Sequence, residues 1–206
     1  MNALLASVIV LLGATLWNGE SEPQRGTTII VREDRIAAIG RDLAIPRGAR
    51  VIDVEGANVT AGLIDPASQL GLIELTTGEP TAVEGTLGLG ADEPIRAALK
   101  ASDTFDPTPL AIEVARQQGI TSSGILPFGS VVAGQAAWIS LRAGAQPRRS
   151  SIAVVVDLRA HGGKPGSRSR AFLRLREALE DARLYAAPGN SGAYIRRNLR
   201  ELAPSA

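Results

Sequence analysis

The first 60 residues are divided into short strands by turn residues, and this pattern restricts the fold more than any other feature of the sequence. The segment 26–40 is predicted to be a β-hairpin, because two β-branched or apolar arms flank the polar turn Glu33-Asp34. Further short strands are predicted at 51–54 and 58–60. The front of the chain is therefore predicted to form a small β layer, half of a β-sandwich.

The apolar stretch 3–17 is open to two interpretations. It is shorter than the roughly 20 residues of a transmembrane helix, so no membrane span is predicted. A secretory signal peptide normally begins with positive charge, whereas no Lys or Arg precedes Arg25. We favour two short buried strands, 8–12 and 14–17, and a cytoplasmic location. Export is the alternative if residues 1–17 are a signal peptide.

A helix is predicted after residue 105. Asp106 is its expected N-cap, with Pro107 at the first helical position and Gly119 at the stop. Leu110, Val114 and the neighbouring Ala111 are expected on its apolar face. The preceding stretch 76–105, rich in Gly, Thr and Glu, is predicted to be a long functional or interface loop with one helical turn near 95–100.

Strands and a second helix follow. Strands are predicted at 120–126, 136–141 and 152–158, and the last two have the continuous apolar character of strands that are buried on both faces. The strongest helical pattern covers 168–185, with Phe172, Leu175, Leu179 and Ala182 at helical spacing. Alternating helices and strands predict a parallel α/β sheet or the opening of a barrel.

The residue types available for chemistry are limited. The chain has no cysteine and a single histidine, His161, so it cannot by itself assemble a His-rich or Cys-based metal centre. His161 follows the strand 152–158 in a Gly-rich loop. We interpret it as an exposed loop histidine, with a position at the top of a barrel as the alternative. Ser122 and Ser123 lack the G-x-S-x-G pattern of a nucleophilic serine, which favours strand hydroxyls.

Several other side chains are candidate site residues. Asp53, Asp65 and Asp157 each follow an apolar strand, which suits either a site or a turn; we favour the turn for Asp53 and leave Asp65 open. Trp17 and Trp138 lie in apolar stretches and are predicted to be core residues.

Charge is distributed unevenly along the chain. Residues 1–141 carry 9 basic and 16 acidic side chains, a net of −7, while residues 142–206 carry 13 basic and 5 acidic side chains, a net of +8. Most of the basic residues fall on helix-like segments without interleaved aromatics, so a solvated face is favoured and no nucleic acid is expected as a partner.

Two segments resemble a known family. Residues 34–40 read DRIAAIG and residues 59–70 read VTAGLIDPASQL. In this order they resemble the N-terminal portion of the amidohydrolase superfamily, especially its imidazolonepropionase-like and dihydroorotase-like members, which carry a "GRIAAIG"-like turn followed by "VTPGLIDxHxH". Residues 115–121, ARQQGIT, are similar to a later passage of the same family.

The resemblance implies a fold and a chemistry. Members of the family have a small β-sandwich beside a TIM-like barrel, and they hydrolyse non-peptide carbon–nitrogen bonds with zinc or another divalent metal at the carboxyl end of the barrel. Ala67 and Gln69 occupy the two histidine positions of the metal motif in this sequence, while Asp65 is retained. The metal motif is therefore replaced, and we assign no catalytic, cofactor-binding or metal-binding residue to this chain.

The predicted fold class is α/β, with a β-sandwich portion at 1–62 followed by the first part of an incomplete TIM-like barrel at 63–206. By resemblance the chain is a hydrolase-related protein, expected to be inactive in isolation. The alternative is a metal-free, non-catalytic relative that acts as a binding or assembly module. The expected partner is the missing C-terminal half of the barrel or a second copy of the chain, because an incomplete barrel leaves a strand edge unpaired.

Overall fold

The computed structural model describes residues 8–72, 94–142, 144, 147–158 and 168–186. The chain divides into two compact units, Met1–Ala61 and Gly62–Ala206. His161 and most of the predicted loop 76–105 lie outside the described residues.

Unit 1 is built on one mixed β-sheet. Its strands are β1 (Val8–Trp17), β2 (Gln24–Arg32), β3 (Arg35–Gly40), β4 (Arg50–Asp53) and β5 (Asn58–Thr60). The order is β3-β2-β1-β4, and β5 also pairs with β1. Strands β2 and β3 are antiparallel around Glu33, which has φ 56°, so the predicted hairpin is confirmed. The second sheet of a sandwich is not seen in the described part of this unit, and the sandwich stays a prediction.

Strand β1 is the central strand of this sheet. Two strands were predicted here, but a single ten-residue strand is present, because Gly13 adopts φ 77° and lets the chain continue through a register shift. Val10 and Ala14, on either side of Gly13, are fully buried. Before Gly13 the strand pairs in parallel with β4, and after it with β5.

Unit 2 contains a four-stranded sheet. Its elements are β6 (Leu63–Ser68), a 3-10 helix (Ala101–Asp103), α1 (Leu110–Gln117), β7 (Ile120–Ile125), β8 (Val132–Ser140), β9 (Arg149–Val156) and α2 (Arg168–Ala186). The sheet order is β6-β7-β8-β9.

The direction of the strands corrects the prediction of a parallel sheet. Only β6 and β7 are parallel neighbours, whereas β7–β8 and β8–β9 are antiparallel. A parallel crossover needs a dozen or more residues, and the links 126–131 and 141–148 are too short for one. The observed architecture is α/β with mixed sheets and few helices, and it contains no closed barrel among the described residues.

Helix α1 begins later than predicted. Its N-cap is Pro109, because the Asp106 carboxylate instead accepts hydrogen bonds from the backbone N–H of Thr108 at 2.8 Å and from the Thr108 hydroxyl at 2.7 Å. These bonds form a local turn that ends before the helix starts. The predicted stop is confirmed, since Gly119 follows the C-cap with φ 88°.

The apolar face predicted for α1 is wrong. Leu110 is 72% exposed and Val114 is 49% exposed, whereas Ile112 is buried. Ile112 packs in a cluster with Ile125, Ile139 and other residues of the sheet. The helix therefore packs against the sheet with the side that carries Ile112.

The predicted burial of β9 is also wrong. Its residues are mostly exposed, with Ile152 at 42% and Val156 at 41%, because β9 pairs only with β8 among the described residues. Helix α2 is confirmed, but small side chains dominate its buried face: Ala171, Ala178 and Ala182 are buried, whereas Phe172 is 46% exposed.

Candidate functional site

The strand directions bring three carboxyl ends to one edge of the unit 2 sheet. Strand β8 is antiparallel to both β7 and β9, so β9 runs in the same direction as β6 and β7. The residues at these three ends line a cavity of about 710 Å³, formed by 67–69, 126–128 and 155–158. Ligands commonly bind at the carboxyl ends of the strands in α/β sheets. We call this cavity the strand-end pocket.

Two serines fix the end of β6 at the pocket. The hydroxyl oxygens of Ser68 and Ser123 lie 2.7 Å apart, and Ser123 is fully buried. The backbone N–H of Leu126 donates to the Ser68 carbonyl oxygen at 2.9 Å, and the Leu70 N–H donates to the Ser68 hydroxyl oxygen at 3.3 Å. Ser123 is thus a strand hydroxyl, as predicted, and it holds Ala67 and Gln69 at the rim.

Pro66 and Gly124 lie in close contact within the same pair of strands. A Cβ atom at Gly124 would collide with the Pro66 carbonyl oxygen. A glycine is therefore required on β7 for β6 to approach this closely. This close approach of β6 to β7 helps to place residues 67–69 at the pocket.

The three candidate carboxylates differ in position. The Asp53 carboxylate accepts a hydrogen bond from the Glu55 N–H at 2.9 Å, which confirms the predicted turn. The Asp65 carboxylate accepts one from the Ala67 N–H at 3.1 Å, so it shapes the chain before the pocket and does not line it. Asp157 lines the pocket, and its backbone N–H donates to the Val131 carbonyl oxygen at 3.1 Å.

The described pocket residues do not fit the metal that the resemblance implies. They offer one carboxylate at Asp157, one amide at Gln69 and one hydroxyl at Ser68, which is already bonded to Ser123. A catalytic zinc site takes three protein ligands, usually with imidazole nitrogen among them. Across the described ranges, no group of three His, Cys, Asp or Glu side chains is close enough to hold a metal ion.

The pocket is instead suited to hydrogen bonding beside apolar walls. Gln69 carries both a donor and an acceptor, and Asp157 adds a second acceptor. Leu126, Pro127 and Phe128 supply an apolar wall that the sequence did not single out. The only sequence signal for this wall was the proline directly after a predicted strand end at residue 126.

Trp17 corrects another prediction. It is 47% exposed rather than part of the core, and its indole N–H donates to the Asn58 side-chain oxygen at 2.8 Å. Trp138 is partly buried on β8.

Among the described helices, none combines the length and apolar character needed to cross a membrane.

Comparison with known proteins identifies the fold. No protein-family model matches the sequence, and no curated protein matches it. The crystal structure of an amidohydrolase from Thermotoga maritima MSB8 is similar with a TM-score of 0.75 and 23% identity, over 96% of this chain and 54% of that one. Two other structures are only weakly similar. Molinate hydrolase matches with a TM-score of 0.38 and 20% identity, over 56% of this chain and 23% of that one. A. niger ochratoxinase matches with a TM-score of 0.35 and 20% identity, over 59% of this chain and 26% of that one.

The chain shares its fold with part of that amidohydrolase, and the resemblance drawn from residues 34–40 and 59–70 is confirmed at the level of the fold. It spans about half the length of the Thermotoga maritima amidohydrolase.

Proposed function

We propose that this chain is an amidohydrolase-related protein whose metal motif has been replaced, and that its strand-end pocket is a metal-free binding site. The observation that carries the proposal is the position of Ala67 and Gln69 in the pocket lining, at the end of β6. A methyl group and an amide stand where the family motif has imidazoles. The chain then acts as a binding or assembly module, and not as a hydrolase by itself.

The chemistry of the pocket suggests the kind of molecule that it takes. Gln69 and Asp157 present hydrogen-bonding groups, and the wall from Leu126 to Phe128 is apolar. A small ligand with an amide or ammonium donor and an apolar side complements this combination. Carboxylate and carboxamide oxygens both accept hydrogen bonds from such a donor.

A second candidate function is a hydrolase of non-peptide carbon–nitrogen bonds that further polypeptide completes. Likeness to 54% of the Thermotoga maritima amidohydrolase favours it. So do the exposed apolar residues on β6, where Leu63 is 56% and Ile64 is 60% exposed. In this proposal 1–62 is the sandwich portion and 63–206 the opening of a barrel, whose β6 edge pairs with the missing half or with a second copy.

Metal content separates the two proposals. The purified 206-residue chain is analysed for zinc and other divalent metals, alone and after co-expression with the polypeptide encoded directly downstream. We expect no stoichiometric metal in either sample. Metal in the co-expressed complex alone would favour the split hydrolase, and stoichiometric metal in the isolated chain would overturn the binding-module proposal.

Restoring the motif tests the geometry of the pocket. The double substitution Ala67→His and Gln69→His puts two imidazoles into the pocket lining, which also includes the Asp157 carboxylate, and is expected to raise the zinc affinity of the pocket. The control pair, Arg50→His and Ile52→His, places two histidines at the same spacing on the exposed strand β4. We expect zinc to bind the pocket variant at least about tenfold more tightly than the control by isothermal titration calorimetry.

The role of Asp157 in this test is checked by a third substitution. Adding Asp157→Asn to the pocket variant removes the carboxylate of the described pocket lining, so zinc affinity is expected to fall toward that of the control pair. Equal affinity of the pocket variant and the control would contradict the assignment of Ala67 and Gln69 to the family's metal positions.

A further inference from the structure

A second cavity lies entirely in unit 1 and has no role in the proposed function. Its volume is about 730 Å³, and its walls come from the end of β1, the start of β2 and the turn that leads into β5. Trp17 lines it with a 47% exposed indole. Tryptophan is highly buried on average, so a half-exposed indole at a cavity needs an explanation.

A hydrogen bond orients the indole ring. Its N–H donates to the Asn58 side-chain oxygen at 2.8 Å, across the parallel pairing of β1 and β5. Thr15, two residues earlier, donates through its hydroxyl to the Gly56 carbonyl oxygen at 3.0 Å and through its N–H to the Ala57 carbonyl oxygen at 2.9 Å. The ring therefore loses little side-chain freedom when a ligand binds, which favours affinity.

The rest of the cavity carries one charge of each sign. Glu22, Pro23, Arg25 and Gly26 also line it. The loop before them is ordered by Asn18, whose side-chain oxygen accepts hydrogen bonds from the N–H groups of Glu20 at 3.0 Å and Ser21 at 3.1 Å. The Glu22 carboxylate, which only accepts hydrogen bonds, and the Arg25 guanidinium, which only donates them, therefore line the same cavity as the Trp17 indole.

We propose that this cavity binds a neutral carbohydrate ring, with Trp17 stacked on its C–H face and with Glu22 and Arg25 bonded to its hydroxyl groups. The indole face carries the negative end of a quadrupole and attracts polarised C–H groups. Hydroxyl groups can donate to the Glu22 carboxylate and accept from the Arg25 guanidinium. An organic cation would be repelled by Arg25, and an organic anion would be repelled by Glu22. A neutral ring with one apolar face and a polar rim matches all of these groups.

The test uses the full chain and a panel of methyl glycosides: methyl β-D-glucopyranoside, methyl β-D-galactopyranoside and methyl N-acetyl-β-D-glucosaminide. Binding is followed by saturation-transfer difference NMR and by the shift of the Trp17 indole N–H signal. The chain has two tryptophans, so Trp138→Phe assigns the signals and serves as the matched control. We expect at least one glycoside to bind in the millimolar range and to shift the Trp17 signal, with Trp138 unaffected.

Two variants locate the binding. Trp17→Ala is expected to weaken the affinity about tenfold or more, because the stacking surface is lost. Asn58→Ala keeps the indole ring but removes the acceptor of its N–H hydrogen bond. It is expected to weaken binding less than Trp17→Ala. Asn58→Ala keeps the proposal testable if Trp17→Ala does not fold.

Three results would overturn the proposal. They are the absence of any Trp17 shift with all three glycosides well above millimolar concentration, affinity that is unchanged in both variants, and preferential binding of tetramethylammonium or acetate over the glycosides. The last result would assign the cavity to an ion. None of these measurements involves the strand-end pocket, so failure here leaves the proposed function standing.

Discussion

The hydroxyl pair of Ser68 and Ser123 is expected to contribute measurably to the stability of unit 2, through a direct interaction between the two side chains. Their oxygens lie 2.7 Å apart, and Ser123 is fully buried. A hydrogen bond of this kind contributes about 1 kcal/mol net to the free energy of unfolding. Neither hydroxyl loses every partner when the other is removed, because Ser123 also donates to the Gly124 carbonyl oxygen at 3.3 Å and Ser68 also accepts from the Leu70 N–H at 3.3 Å.

The magnitude follows from a double-mutant cycle. Ser68→Ala and Ser123→Ala are each expected to lower the unfolding free energy by about 1 kcal/mol, and the double variant by little more than either single one. The coupling energy is then about 1 kcal/mol. For a chain of this size, 1 kcal/mol corresponds to a fall of about 2–4 °C in the melting temperature.

Urea denaturation of the full chain, followed by far-UV circular dichroism, measures the three variants. Ser122→Ala is the matched control, because this serine neighbours Ser123 on β7 and is only partly buried. Its unfolding free energy is expected to change by less than about 0.5 kcal/mol. A coupling energy below about 0.3 kcal/mol between positions 68 and 123 would refute the reasoning, since additive losses mean that the two hydroxyls do not interact.

Two further predictions concern the chain around the pocket and the start of α1. Gly124→Ala places a Cβ against the Pro66 carbonyl oxygen, so the unfolding free energy is expected to fall by about 1–3 kcal/mol; an unchanged urea midpoint would contradict this contact. Hydrogen bonds from the Thr108 hydroxyl and N–H lower the pKa of Asp106 below its usual 3.8. The resulting stabilisation is present above the unfolded-state pKa and is lost as the pH falls through the lower folded-state pKa. Thr108→Ala is expected to raise the pKa of Asp106 in an NMR titration, and an unchanged pKa would argue against the hydroxyl as its main cause.

Local patterns in the sequence predicted the elements whose structure is decided by neighbouring residues. The hairpin of β2 and β3, helix α2 and the stop at Gly119 depend on turn chemistry, helical periodicity and a residue that tolerates positive φ. These properties act over a few residues and are visible in the sequence. The order of the segments 34–40 and 59–70 also led to a resemblance that is confirmed at the level of the fold.

Features that depend on distant pairings were not predicted correctly. The direction of β8 follows from the lengths of its two connections, which a list of apolar runs does not show. The exposure of β9 depends on its place at the end of the sheet order. Trp17 is half exposed, and the partner of its indole N–H is Asn58 on β5, about 40 residues later in the chain. In each case tertiary context overrode a residue's average preference.

Parts of the candidate site were also beyond sequence reasoning. Ala67 and Gln69 were found by their place in the family motif, but their place in the same cavity lining as Asp157 depends on β6 and β9 running in the same direction. The hydroxyl pair of Ser68 and Ser123 joins residues 55 positions apart, and neither serine has a local pattern that marks it.

The central position of β1 affects how unit 1 is made on the ribosome. This strand is synthesised before the others of its sheet, yet its parallel partner β5 ends at Thr60. At 5–20 residues per second, β5 is complete only about 2–9 s after Trp17. Until β4 is made, the nascent chain can form no more than the β1–β2–β3 meander, and the part of the β1 edge at 15–17 stays unpaired until β5 follows. A chaperone that binds extended apolar segments therefore has its best opportunity in this interval.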